Sequence, residues 1–111
     1  MTRPGVYRSD KPVEGVQVDA GSDPILAIAR ALDFPEWFGG NWDALEDCLG
    51  DLSWRHSPGT VLVIRNFVPG DELGILIDIL GATARFWQEQ GESFVAVFVD
   101  PQRALQLPSL P

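Results

Sequence analysis

VLVIRNFVPGDELGILIDILGATARFWQEQGESFVAVFV, residues 61–99, carries the pattern from which the fold is read. It opens on Val61-Leu62-Val63-Ile64, a short continuous apolar run of the kind a strand shows when both its faces are covered. It closes on a second such run, Phe94 to Val99, which Pro101 stops. Between them, Asp71 stands where it can cap a long helix that runs to about Gln90 and is closed by Gly91. Leu73, Leu76, Ile77, Leu80, Ala84 and Trp87 recur there at helical spacing. Gly81 costs that helix about 1 kcal/mol relative to alanine, so the pattern also admits Ile75 to Leu80 as a strand. Strand, helix, strand over this length implies parallel pairing with a right-handed crossover.

Toward the N-terminus, Val16-Gln17-Val18 alternates at period two and reaches Asp19 and Gly21, as a short first strand does. Ser22 or Asp23 caps the helix that follows, and Pro24 suits its first turn. Ile25, Ile28, Ala29 and Leu32 fall on one buried stripe, and Pro35 ends the helix. Gly39-Gly40 opens a tight loop, Asn41 caps a second helix to about Leu49, and Gly50 lies at its C-terminal end. The order is strand, helix, helix, strand, helix, strand. It predicts a small α/β layer structure, a three-stranded parallel sheet packed with three to four helices. Residues 1–14 read as a partly ordered arm, with room for a short edge strand from Val6 to Arg8. Residues 15–100 form the domain, and residues 101–111 read as a loose tail. No internal repeat is present.

Sixteen acidic and eight basic residues give the 111-residue chain a formal net charge of −8. Such a chain repels nucleic acid and anionic lipid and favours a basic partner. A single cysteine, Cys48, excludes an internal disulfide. No apolar run approaches the ~20 residues that cross a bilayer, and the N-terminus lacks the apolar stretch of a secretory signal. The expectation is a cytoplasmic protein.

The placement of charge says more than its sum. Between Ala31 and Trp54 stand Asp33, Glu36, Asp43, Glu46, Asp47 and Asp51, with no lysine or arginine. On a wheel at 100° per residue, Ala44, Leu45, Cys48 and Leu49 gather on one side of the second helix. Asp43, Glu46 and Asp47 share an arc of about 100° on the other. Like charges at i,i+3 and i,i+4 destabilise a helix by roughly 0.2–0.5 kcal/mol per pair, and only Asp43 recovers some of this from the macrodipole. An ordinary solvated helix face shows the same pattern, and the pattern alone leaves the two readings equal. Phe38 is expected in the core. Trp37 and Trp42 flank a glycine-rich loop of the kind that is exposed.

The stretch FPEWFGGNWDALEDCL, Phe34 to Leu49, resembles the signature of the barstar family of ribonuclease inhibitors. The residues that carry the resemblance are Pro35, Glu36, Trp37, Phe38, Gly39, Asn41, Asp43, Ala44, Leu45, Asp47, Cys48 and Leu49. From Val16 to Asp100 the order of elements agrees as well. The resemblance implies that the second helix and the loop before it enter the substrate cleft of a small, basic, extracellular-type ribonuclease. There Asp47 would take the place of a substrate phosphate among arginines and a histidine. Asp43 would make a second anionic contact, and Trp37 would stand where the family has a tyrosine over the catalytic site. The candidate partner-binding set is Trp37, Gly39, Asn41, Trp42, Asp43, Glu46, Asp47 and Asp51. No cofactor or metal, no direct nucleic acid and no membrane is implied, and the protein is expected to be a monomer before it meets its partner.

This chain also departs from the family. A threonine, a glycine and a tryptophan after the helix become Gly50, Asp51 and Leu52. Phe86 and Gln90 occupy places where acidic residues of the last helix help hold the ribonuclease. Two other functions are compatible with the pattern. One is an interaction module that binds a non-nuclease. The other is an acid–base or Mg²⁺-dependent enzyme using Asp43, Glu46 and Asp47, although one helix face rarely surrounds a cation. His56, near Pro58 and Gly59, reads as an ordinary surface histidine in a loop. No nucleophile elbow, phosphate loop or zinc spacing occurs in the chain.

Overall fold

The computed structural model describes residues 3–52 and 59–111. Trp54 and His56, with the loop expected around the histidine, lie outside the described residues. The elements are β1 (Gly5–Ser9), β2 (Val16–Gly21), α1 (Pro24–Ala31), α2 (Trp42–Leu49), β3 (Thr60–Phe67), α3 (Asp71–Glu89) and β4 (Phe94–Val99). Every strand pairing is parallel, in the order β1-β4-β3-β2.

The α/β class and the parallel pairing match the sequence-based expectation, and the strand count corrects it. The sheet has four strands, not three, and the helices number three among the described residues. The added strand is β1, which pairs with β4 from Gly5 opposite Val95 to Ser9 opposite Val99. Gly5-Val6-Tyr7-Arg8-Ser9 has almost no apolar alternation of its own. The edge strand allowed from Val6 to Arg8 lies within it, and its full extent and place in the sheet come from a partner strand some ninety residues away. A second correction concerns α3. Gly70 occupies its N-cap with no side-chain bond, and Asp71 is the first helical residue, where a carboxylate favours the macrodipole. Ile75 to Leu80 lies inside this helix, so the strand alternative is excluded.

One core joins the helices to one face of the sheet. Val18 and Ala20, Leu62 and Ile64, and Phe94, Ala96 and Phe98 cluster with Ile28, Leu32, Leu45, Leu49, Leu73, Leu76, Leu80 and Ala84. Strand residues that alternate with these point to the other face, yet Val63, Val95 and Val97 are also buried. From β2 to β3 to β4 the chain steps one way across the sheet, and from β1 to β2 it steps back over residues 10–15. A right-handed connection in the reverse direction crosses the opposite face, which is the side expected for this segment, and of its residues Val13 is half-buried while the others are exposed. Gln17 Nε2 donates to Val13 O at 2.9 Å at its end.

Gly15 ends that segment directly before β2, beside Val61 of β3, where Val16 opposite Leu62 sets the register. Its φ is +154°, and a Cβ there would stand 2.7 Å from Val61 O and 2.9 Å from Val61 Cγ1. The clash is with the carbonyl of the second residue of β3, a strand paired on both sides, which has little freedom to move. Gly15→Ala is therefore expected to destabilise the fold by about 1–3 kcal/mol, read as a lower urea midpoint at unchanged slope. Gly21→Ala is the comparison, since nothing lies within 4 Å of a Cβ there. An equal loss in both variants would mean that backbone conformation, and not the close approach, is what matters.

Candidate functional site

The site is built by the chain between α1 and the end of α2. After α1, Asp33 takes a positive φ of 53°, and Phe34 N–H donates to Ala29 O at 2.9 Å. A tight turn follows, with Phe38 N–H bonded to Pro35 O at 3.0 Å. Phe34 and Phe38 meet edge to face, ring centroids 5.0 Å apart, and both pack on the core. Their inward packing leaves Trp37, between them in the turn, 69% exposed. An indole left in water at the tip of a loop contributes little to folding and offers a large, stiff apolar surface to a partner.

Gly40, with φ +73°, reverses the chain into α2, and Asn41 starts the helix. Asn41 is extended, and its Oδ1 accepts from Ala44 N–H at 2.8 Å. Leu45, Cys48 and Leu49 are fully buried, while Asp43, Glu46 and Asp47 are exposed. Gly50 takes the C-cap, and exposed Asp51 extends the acidic surface one residue beyond it. At that end the Trp87 indole N–H donates to Leu49 O at 2.8 Å, tying α2 to α3. Sequence reasoning placed Trp87 on the apolar stripe of α3 and missed this bond. An indole N–H on a buried stripe needs an acceptor, and that was the available signal.

Four of the eight expected partner-binding residues, Asp43, Glu46, Asp47 and Asp51, therefore form one exposed acidic surface, with exposed Trp37 and Gly39 in the adjoining loop. The other two differ. Asn41 is exposed but commits its side-chain oxygen to the helix cap, and Trp42 is half-buried against the core. Among the described residues the ion pairs are those of Arg8 with Asp10 and Asp100, so no cation neutralises α2. The last turn of α2 carries no basic residue, and Asp47 and Asp51 sit at the negative end of the helix dipole. Stability alone would favour lysine or arginine at these positions.

Among the described residues no group of three or more His, Cys, Asp or Glu is arranged to hold a metal ion. The three carboxylates of α2 lie exposed on one side of a single helix. Among the same residues no helix is long and apolar enough to cross a membrane.

The model of the family Barstar (barnase inhibitor) matches residues 12–99 of this chain. Neither the curated proteins nor the solved structures yield a match.

Cys48 lies directly behind the acidic surface and is a free thiol with no exposed area. Burial pushes its pKa up, and the carboxylates of Asp51 and Asp47 add to the shift. Thiolate formation is disfavoured by each of these effects, so the residue acts as a small apolar side chain. A bulky disulfide reagent at pH 8 is expected to leave the native thiol unmodified and to label it within seconds once the chain is unfolded in urea. Rapid labelling under native conditions would mean that α2 detaches from the core far more often than its packing implies.

Proposed function

The chain belongs to the Barstar family, and from that premise we propose that it inhibits a small basic ribonuclease by filling its active site with the exposed face of α2 and the loop before it. The observation that carries this reading is an uncompensated row of carboxylates. Asp43, Glu46, Asp47 and Asp51 stand on one exposed surface, and none is paired with a cation among the described residues. A cleft that binds a phosphodiester must present arginine, lysine or protonated histidine. A carboxylate held on a short, capped helix can enter such a cleft and form charge-assisted, bidentate bonds with its arginines.

In this reading Asp47 replaces the substrate phosphate and Asp43 makes the second anionic contact. Glu46 and Asp51 widen the negative field that draws the enzyme in. Trp37 closes over the catalytic residues, and Gly39 lets the loop approach without a side chain in the way. Asn41 and Trp42 set the angle at which α2 leaves the core. The inhibitor itself needs no cofactor and touches no RNA, which its net charge of −8 repels. It acts as a monomer in the cytoplasm, on a toxin that must be caught before it degrades cellular RNA. Phe86 and Gln90, which replace acidic residues in the resemblance, favour an enzyme other than barnase as the natural target.

The test sets binding against stability. Asp47→Ala removes one partner of a charge pair that is buried in the complex, which weakens binding to a ribonuclease the protein inhibits by about 2–5 kcal/mol. In the free protein the same change relieves repulsion at i,i+4 from Asp43 and introduces a better helix former, so the fold gains a few tenths of a kcal/mol. Asp78→Asn, on α3, lowers the charge equally and leaves affinity almost unchanged. Binding titrations and urea melts on both variants decide the matter. Equal losses of affinity, or an unfolded Asp47→Ala protein, would remove Asp47 from the role assigned to it.

A further inference from the structure

A second cluster, unconnected with the acidic surface, joins the two ends of the chain. β1 lies outside the family match over residues 12–99, as does everything after Val99. These two segments meet at Arg8. Its N–H donates to Pro108 O at 2.9 Å, and its carbonyl accepts from Leu110 N–H at 2.8 Å. Its side chain is the single buried one in β1. The guanidinium donates to Asp100 O at 2.7 Å and to Ser109 Oγ at 3.2 Å, and it pairs with the Asp10 carboxylate, which it holds below the usual carboxylate range. Asp100, also buried, accepts from Ala104 N–H and Leu105 N–H, both at 2.9 Å, and one of its oxygens stands 3.7 Å from Arg8 Nε.

Beyond its ladder with β4, the rest of β1 contributes Val6 to the edge of the core. The four residues of β1 other than Arg8 are half-buried. An open groove of about 450 Å³ runs between Gly5 and Val6 on one side and Ile77, Gly81 and Arg85 on the other. A strand whose one buried side chain is a charge derives little from apolar burial, and a buried ion pair adds little net stability. Breaking such a pair is costly, because it leaves its partners uncompensated. The attachment of β1 thus turns on Arg8. Beneath β1 lies β4, Phe-Val-Ala-Val-Phe-Val, with five of its six residues buried. Uncovered, β4 would be an edge strand with high β-propensity and no charge, the kind that pairs with another chain.

We propose that β1 and the segment from Asp100 to Leu110 form a clasp, pinned by Arg8, that keeps the β4 edge closed to a second copy of this chain. The clasp is a device of this chain and not of the matched family region. The acidic surface of α2 does not depend on it.

The test is hydrogen exchange on the full chain and on Arg8→Met, paired with sedimentation over a range of concentrations. In Arg8→Met, the amides of Phe94–Val99 exchange about ten- to a hundredfold faster, while those of Val16–Gly21 and Trp42–Leu49 keep their rates. The variant also self-associates as concentration rises, and the unaltered chain does not. Leu110→Pro removes one tail bond and leaves Arg8 in place, so it moves β4 the same way by a smaller factor. It also stands in should Arg8→Met fail to fold. Unchanged β4 exchange, a rise shared equally by β2 and β4, or an opened β4 edge in a chain that stays monomeric would each overturn the proposal.

Discussion

The burial of Leu45, Cys48 and Leu49 beneath α2 is the constraint on which the rest depends. All three are fully buried, and burying an aliphatic side chain contributes about 1.5–3 kcal/mol. Repulsion among Asp43, Glu46 and Asp47 costs roughly 0.2–0.5 kcal/mol per pair. Burial exceeds repulsion by a wide margin, so one side of an eight-residue helix can carry only negative charge and stay helical. Alone in water a helix this short would not persist. Its order is borrowed from the sheet beneath it, from the Asn41 cap at one end and from the Trp87–Leu49 bond at the other.

That arrangement separates the groups that fold the protein from those left free on its surface. Trp37 and the four carboxylates contribute little to the core or cost stability, while Phe34, Phe38 and Trp42 beside them are spent on packing. Rigidity follows from the same division. A carboxylate already fixed on a capped helix loses less conformational freedom on binding than one on a loop. This is why the charge is better placed on α2 than in the glycine-rich turn before it.

Legibility in the sequence tracked how local each cause was. β3 and β4 could be read from their apolar runs, α1 from its stripe after Pro24, and α2 from Asn41 and the segregation of its two faces. β1 could be read only as room for a short edge strand from Val6 to Arg8, because a strand with one aliphatic residue takes its extent and its place in the sheet from a distant partner. Asp71 looked like a cap because its chemistry suits one, but the backbone turns one residue earlier, where Gly70 takes φ 153°. At the candidate site the acidic arc was legible. The Trp42 indole was not, since a residue on the boundary of an apolar stripe is assigned to core or surface only by what packs beside it. The clasp at Arg8 needed both chain ends in one place.

The central claim is that a rigid acidic helix occupies a ribonuclease cleft in place of RNA. Its most direct test is a titration of barnase and related small basic ribonucleases with the protein at low salt, with cleavage of an RNA substrate as the readout. The account predicts that at least one enzyme loses activity in a one-to-one titration, competitively with RNA, and that association slows steeply as salt screens the two fields. Full activity of every such enzyme in the presence of excess folded protein would contradict it.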